Sequence, residues 1–522
     1  MTKFIRIIQI LLLLCLPIGA ATRPKLVVAI AIDQFRYDYL TRFRGEYSGG
    51  LDRLLKHGAV MTNAHLQHFP TVTAVGHSTI LTGAPPSLSG IVGNEWYDRE
   101  SGKRVTSVSD ASVQRLSGQP VGQALSPAQS PHRLLVSTVA DELKMSGRGE
   151  SRVIGISLKD RAAILSVGRM ADAAYWFDSA SGSFVSSTWY FPELPAWVRE
   201  FNASGVLSQY TGAEWKPSTA SGNGAPFLKL PAAPGPTYFQ AVQASPFGND
   251  IVEQFAERAV EAEQLGARGA TDLLAFSFSS NDHVGHEVGP DSPLVRDISI
   301  RTDQTIDRFL RFLDAKLGLN HVLMVLTADH GVAPVPEENA KRRMPSGRMR
   351  PPVLDAAATK ALEEQYGPGQ WLLDSVYGSY YLNEALILER KLNPAEVQRM
   401  LAAALRKVPG VARVYTREQL LNGQFDADPI GRRVANGFHP RRSGDVITLL
   451  EPYWIYGDEG TSHGTAYSYD THLPLIFMGP GIKPGVYNQN VAINDIAPTL
   501  ATIFEVENPS GSTGRVLDQI IR

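Results

Sequence analysis

Cysteine is all but missing from this chain. The 522 residues include one, Cys15, and it lies in an N-terminal stretch patterned as an export signal. Lys3 and Arg6 are followed by an apolar run from Ile7 to Leu16, broken only by Gln9, and then by Pro17-Ile18-Gly19-Ala20-Ala21. Cleavage near Ala20 or Ala21 leaves a mature chain without disulfides, thiolate nucleophiles or cysteine-bound metal. Any metal must then be held by His, Asp or Glu. Leu14 is not the small residue expected ahead of a lipidated cysteine, and the apolar run is half the roughly 20 residues that span a bilayer, so no stable membrane anchor is expected. An excess of charge is missing too. Lys+Arg is 50 against 52 for Asp+Glu, a net charge of -2, which excludes a general pull toward nucleic acid or anionic membrane. There is no internal repeat of solenoid length. With 43% hydrophobic and 20% charged residues the composition excludes disordered and fibrous classes. The expected location is periplasmic or secreted, and no obligatory protein partner is inferred.

Three segments share a pattern: a short, strongly apolar run rich in β-branched residues that ends at an acid. They lead from Leu26 to Asp33, from Leu273 to Asp282 and from Val322 to Asp329. Runs of this length and character read as strands buried on both faces. Between the second and third, Ile298 to Leu317 carries apolar residues at helical spacing, so strand, helix and strand form a parallel crossover. A further strand is expected from His472 to Pro480. The fold class is α/β, a central, mostly parallel sheet sandwiched by helices, with inserted cap segments. Ligands of such sheets gather beyond the carboxyl ends of the strands, where Asp33, Asp282 and Asp329 would sit. Lys216–Tyr238 and Gly331–Pro352 read as loops. From there to Asp445 the chain looks like a separate unit, with a helix capped by Asn393, begun by Pro394 and periodic through Leu405. The domain reading is a signal peptide at 1–21 and a catalytic domain at 22–522, with insertions at about 166–245 and 335–445.

Asp282 and His286 stand four residues apart, which one helical turn brings onto one face. Asp329-His330 is an adjacent pair at a strand end, and His463 lies in the glycine-flanked Gly460-Thr-Ser-His463-Gly464. With Asp33 these make three carboxylates and three imidazoles, a donor set that suits zinc. Two ions about 3.5–4 Å apart can clamp the attacking and leaving oxygens of a phosphoryl displacement. Thr71 and Thr73 precede a plausible helix, whose N-terminus offers free N–H groups to a phosphoryl oxygen. Either can equally be an ordinary helix cap, and a threonine hydroxyl needs activation to act as a nucleophile. His65, His68 and His77 read as structural or supporting residues, and His283 as a neighbour of ligands. The basic run Lys341–Arg350 reads as a solvated loop. Trp96 and Tyr97 fit either the leaving-group side or the core.

Pro70-Thr-Val-Thr73, Thr82-Gly83, Gly90-Ile-Val-Gly-Asn94-Glu-Trp-Tyr-Asp98, Asp282-x3-His286, Ala328-Asp-His-Gly331 and Thr461-Ser-His-Gly464 resemble, in order, the core motifs of the alkaline phosphatase superfamily. They are similar to its nucleotide pyrophosphatase/phosphodiesterase-like branch, over about Lys25 to Arg522. The resemblance implies two Zn2+ ions, one held by Asp282, His286 and His463, the other by Asp33, Asp329, His330 and the Thr73 oxygen. It implies Thr73 rather than Thr71 as nucleophile, and Asn94 as a ligand of a non-bridging phosphoryl oxygen. Lys159 and Arg161 resemble a pair in threonine-nucleophile (phosphate-irrepressible type) alkaline phosphatases that prefer monoesters. Extra cations selectively stabilise a dianionic monoester, and alternation along a strand would put both side chains on one side. The implied function is an exported phosphate monoester hydrolase acting on small molecules through a phosphothreonine intermediate. The alternatives are a phosphodiesterase or nucleotide pyrophosphatase with the same ligands and, more distantly, a non-catalytic exported metal-binding protein. A sulfatase fits less well, because those members use a modified Cys or Ser.

Overall fold

The computed structural model describes residues 23–117, 127–218 and 225–522, so the predicted export signal lies outside the described residues. Leu26–Ile32 forms β1, buried at every position as its apolar run predicts. In chain order follow β2 (Ala59–His65), helix α1 (Thr73–Thr82), β3 (Val153–Ser157), helix α2 (Asp160–Leu165) and β4 (Ala173–Asp178). Then come β5 (Asp272–Phe278), helices α3 (Ser280–Val288) and α4 (Pro293–Leu317), β6 (Val322–Thr327) and β7 (His472–Met478). The sheet order through these strands is β2-β7-β6-β1-β5-β3-β4. From β6 to β4 the pairing is parallel, while β7 runs antiparallel to both of its neighbours.

Register brings the expected carboxylates together. Ile32 pairs with Phe278 and Ala31 with Thr327, so β1, β5 and β6 end level. The chain then delivers Asp33 directly, Asp282 from the first turn of α3, and Asp329 two residues past β6. Helix α4 buries Ile298, Ile306, Phe309, Leu310 and Leu313 and begins at Pro293, five residues before the predicted start, where Ser292 accepts the Leu294 N–H.

Several stretches differ from the sequence reading. Within 166–245, expected as an insertion, β4 and the strand Ser183–Ser187 belong to the central sheet. Gly331–Pro352, expected as loop, contains a short helix, Pro336–Lys341, and a strand, Gly347–Met349. Beyond it, Leu372–Val376, Ser379–Leu382, Val446–Leu450 and Val411–Thr416 form a second sheet in that order. This sheet has its own core of Leu354, Leu362, Trp371, Leu401 and Leu405. Its helix Pro394–Leu405 is capped by Asn393, whose Oδ1 accepts the Ala395 N–H at 2.9 Å. Lys159 and Arg161 are not on a strand. β3 stops at Ser157, whose Oγ accepts the Lys159 N–H at 3.1 Å, and Arg161 lies in the first turn of α2. Strand alternation therefore does not direct the two side chains.

Candidate active site

Asp33, Asp282 and Asp329 meet with at most 4% of their surface exposed. Burying three carboxylates together favours protonation unless cations answer them. Burial, reinforced by Asp282 and Asp329, pushes Asp33 well above the usual carboxylate range, and burial pushes Asp329 up to about 6. Burial opposes ionisation of Asp282 as well, but Lys159, His286 and His463 outweigh it and hold that carboxyl well below its usual value. Among the described residues Asp33 Oδ1 and Asp329 Oδ2 are buried with no hydrogen-bond partner, as acceptors aimed at a cation would be.

Three histidines complete the cluster in one way. His330 Nδ1 lies 2.9 Å from the Gly331 carbonyl, His286 Nδ1 2.8 Å from that of Thr461, and His463 Nδ1 2.8 Å from that of Thr71. Donation from Nδ1 to a carbonyl leaves the Nε2 lone pair facing the carboxylates, which is the support that metal-ligating histidines receive. Burial, with the neighbouring histidines, pushes His463 well below its usual value, and burial lowers His330, so both stay neutral. His286 moves up, because Asp282 outweighs its burial.

The donor spacing fits a metal. Four ligands about 2.0–2.1 Å from a zinc ion in a tetrahedron stand about 3.3–3.4 Å apart. His286 Nε2 is 3.2 Å and His463 Nε2 3.8 Å from Asp282 Oδ1. His330 Nε2 is 3.3 Å from Asp329 Oδ2, 3.5 Å from Asp33 Oδ1 and 3.4 Å from Thr73 Oγ1. His77 adds a further imidazole, with Nε2 3.5 Å from Asp329 Oδ2 and Nδ1 3.2 Å from Ser166 Oγ.

The two threonines separate. Thr71 Oγ1 donates to the Thr465 carbonyl at 2.8 Å and ties two loops together. Thr73 opens α1, whose capping residue is Val72, so Thr73 is not an ordinary helix cap. The Ala74 N–H donates to Asn94 Oδ1 at 2.9 Å, and among the described residues the Asn94 Nδ2 has no acceptor. Gly76 lets α1 press on the end of β6, since a Cβ there would meet the Asp329 carbonyl oxygen at 2.1 Å.

Lys159 and Arg161 behave differently from each other. Lys159 Nζ lies between the carboxylates, 2.5 Å from Asp33 Oδ2 and 2.5 Å from Asp282 Oδ2. The Arg161 guanidinium comes no nearer an acid than 3.8 Å, from its own neighbour Asp160, whose Oδ1 accepts the Arg161 backbone N–H at 2.6 Å, and Arg161 Nε has no partner among the described residues. Among the remaining sequence candidates, His65 stacks on His472 at 4.6 Å, and burial pushes His68 down to about 3 and His283 to about 4. Lys341, Arg342 and Arg348 are engaged with Glu338, Asp291 and Glu337. Trp96 is buried against the cavity beside Asn94, and Tyr97 packs on Tyr381 at 5.5 Å.

Sequence reasoning missed Gln34 and Asp470. Gln34, in a left-handed conformation with φ 61, donates its N–H to Asp329 Oδ1 at 3.2 Å and its Nε2 to Asp282 Oδ1 at 2.6 Å. Only its place after Asp33 could have singled it out. Asp470 Oδ2 accepts from the N–H and hydroxyl of Thr465, both at 2.7 Å, bracing the His463 loop; no sequence signal marks it.

A mostly parallel sheet whose ends carry carboxylates and imidazoles to a threonine at a helix start defines a metallohydrolase class. The model of the type I phosphodiesterase / nucleotide pyrophosphatase family matches residues 27–472, and the chain belongs to that family. It is 35% identical to alkaline phosphatase PafA of Elizabethkingia meningoseptica, over 96% of this chain and 95% of the relative. It is 36% identical to alkaline phosphatase PhoV of Synechococcus elongatus, over 96% and 93%. It is also 36% identical, over 96% and 95%, to a Myroides odoratus protein named as a calcium-transporting ATPase. The crystal structure of wild-type PafA superposes with a TM-score of 0.89 at 34% identity, over 97% of this chain and 100% of that one. PafA has also been crystallised as a variant changed at a threonine and an asparagine 21 positions apart and at a lysine and an arginine two apart. Thr73–Asn94 and Lys159–Arg161 have the same separations.

Proposed function

We propose that this chain is an exported alkaline phosphatase that hydrolyses small phosphate monoesters with Thr73 as nucleophile. One observation carries the reading: Thr73 Oγ1, at the start of a helix, faces His330 Nε2 at 3.4 Å inside a buried cluster of carboxylates and imidazoles. The PafA and PhoV likeness supports the substrate class, and the basic, apolar and small-residue N-terminus supports a periplasmic or secreted location. No described helix is long and apolar enough to cross a membrane. Residues 22–522 are read as one catalytic domain, with the second sheet as its cap.

Asp282, His286 and His463 would hold one zinc ion, and Asp33, Asp329 and His330 with Thr73 Oγ1 the other. Bound there, the two ions supply Lewis-acid charge for the attacking and leaving oxygens. Thr73 Oγ1 attacks phosphorus in line, forming its O–P bond as the ester P–O bond breaks and the alcohol departs. Asn94 Nδ2 and the Arg161 guanidinium bind non-bridging oxygens, and Lys159 adds the positive charge that a dianion requires. Water then cleaves the phosphothreonine from the opposite face, returning the Thr73 hydroxyl and releasing phosphate.

The second reading, a phosphodiesterase, is favoured by an apolar cavity beside Asn94 that could seat a second ester group. Hydrolysis of an aryl phosphate monoester and the matching diester by the mature protein, with and without chelator, separates the two. Faster monoester turnover abolished by chelation is expected. Faster diester turnover at saturating zinc overturns the monoesterase reading, and full activity after chelation overturns the metal centre.

A further inference from the structure

A cavity of about 210 Å³ opens directly beside Asn94, His286 and His463. One wall comes from the approach to the nucleophile, with Phe69 and Val72; the other comes from the second sheet, with Tyr377, Tyr381 and Ile447, and from Tyr456 on the strand Trp454–Tyr456, which pairs with Gly347–Met349. No lysine or arginine is among its lining residues. The acid that lines it, Glu95, is paired with Arg104 at 3.1 Å.

Tyr377 is out of place by local rules. With Gly378 it makes the two-residue turn between Leu372–Val376 and Ser379–Leu382, with φ of 47 at Tyr377 and 78 at Gly378. Asn, Asp or Gly suits the first position of such a turn, and an aromatic residue is disfavoured there. Packing does not compensate, since Tyr377 is 64% exposed and its ring meets Tyr456 edge-on at a centroid distance of 6.0 Å. The turn itself is held fast. The Gly378 carbonyl accepts both the N–H and the hydroxyl of Thr448, at 2.9 and 3.0 Å. A Cβ on Gly378 would meet Thr448 Oγ1 at 2.0 Å and the Tyr456 hydroxyl at 2.2 Å. A disfavoured conformation, rigidly held and presenting a ring at the mouth of a cavity that reaches the reacting groups, points to function.

We propose that Tyr377, backed by Tyr456, is the leaving-group clamp, selecting monoesters whose alcohol carries an uncharged, flat ring and disfavouring anionic alcohols. The clamp rests on the monoesterase reading. It is tested on the zinc-loaded mature protein with 2-phenylethyl, ethyl and 2-carboxyethyl phosphate, which share an alkyl leaving oxygen. The phenylethyl ester should lead ethyl phosphate in kcat/KM by roughly five- to tenfold, mainly through KM, and the carboxyethyl ester should trail. Tyr377→Ala should bring the phenylethyl-to-ethyl ratio close to one. Tyr377→Asn should lose the same preference and raise Tm, because asparagine accepts the left-handed turn. Equal kcat/KM for the phenylethyl and ethyl esters, a ratio kept in Tyr377→Ala, or a lower Tm in Tyr377→Asn overturns the clamp alone. Hydrolysis of none of the three overturns the monoesterase reading and the clamp with it.

Discussion

The two halves of the candidate site meet solvent differently. Asp33, Asp329 and His330 are fully buried and Thr73 is 1% exposed, whereas the His286 side chain is 38% exposed and, with His463, borders the cavity. Their origins differ in the same way. Strand ends set the closed half, while helix α3 and a glycine-flanked loop set the open half. Gly460 lets that loop approach, since a Cβ there would meet the His286 carbonyl oxygen at 2.1 Å. The contrast supports the proposed reading, in which the attacking oxygen lies on the dry side and the departing alcohol on the side that opens on the cavity.

The largest test is on the closed half. Thr73→Ala should lower monoester turnover by about 10⁴-fold or more while the protein still binds zinc at Asp282, His286 and His463, as metal analysis would show. Removing one histidine from each half sharpens the comparison. His330→Ala should cost on the order of 10³-fold and resist rescue, and His286→Ala on the order of 10²-fold, recovering as zinc is raised. Zinc release under dialysis against chelator should accordingly have two phases, the first removed by His286→Ala. Lys159→Ala combined with Arg161→Ala should cost about tenfold more on the monoester than on the diester, read from paired kcat/KM values.

The smallest effect is on stability, where the halves carry opposite signs. In chelated protein Asp33 and Asp329 bind protons more tightly folded than unfolded, with Asp329 at about 6 against an ordinary 3.8. Their stabilising effect is complete at low pH and is lost as pH rises from about 4 through about 6. Asp282 is held below its usual value, so its contribution is present above the ordinary carboxylate range and is lost on acidification through its lowered pKa. The Tm of the chelated protein should therefore fall between about pH 4 and 7, less steeply in Asp329→Asn, and zinc should restore it.

Much of this was legible before any coordinates. Parallel strands buried on both faces read as uninterrupted apolar runs, so the acids at their ends stood out. Asp282 and His286 declared themselves by one helical turn. Lys159 and Arg161 were recognisable as a pair but not in their geometry, because β3 stops at Ser157 and α2 begins at Asp160, so the two side chains leave from a helix start rather than a strand. Gln34 and Asp470 act through hydrogen bonds to partners far along the chain, for which spacing offers no signal. Ala173–Asp178 read as insertion because its place in the central sheet depends on pairing with β3.

By itself the sequence determined β1, β5, β6 and β7, the three carboxylates at strand ends and the metal-suited chemistry, since local apolar pattern and residue type suffice for each. Tertiary structure gave Thr71 and Thr73 their different surroundings, with Thr71 Oγ1 on the Thr465 carbonyl and Thr73 Oγ1 facing His330 Nε2, which the resemblance had separated only by motif position. It also decided the imidazole tautomers, set by backbone carbonyls, and the aromatic wall that the second sheet brings over the site. Each of these depends on the register of elements far apart in the chain, and register is fixed by packing the whole core at once.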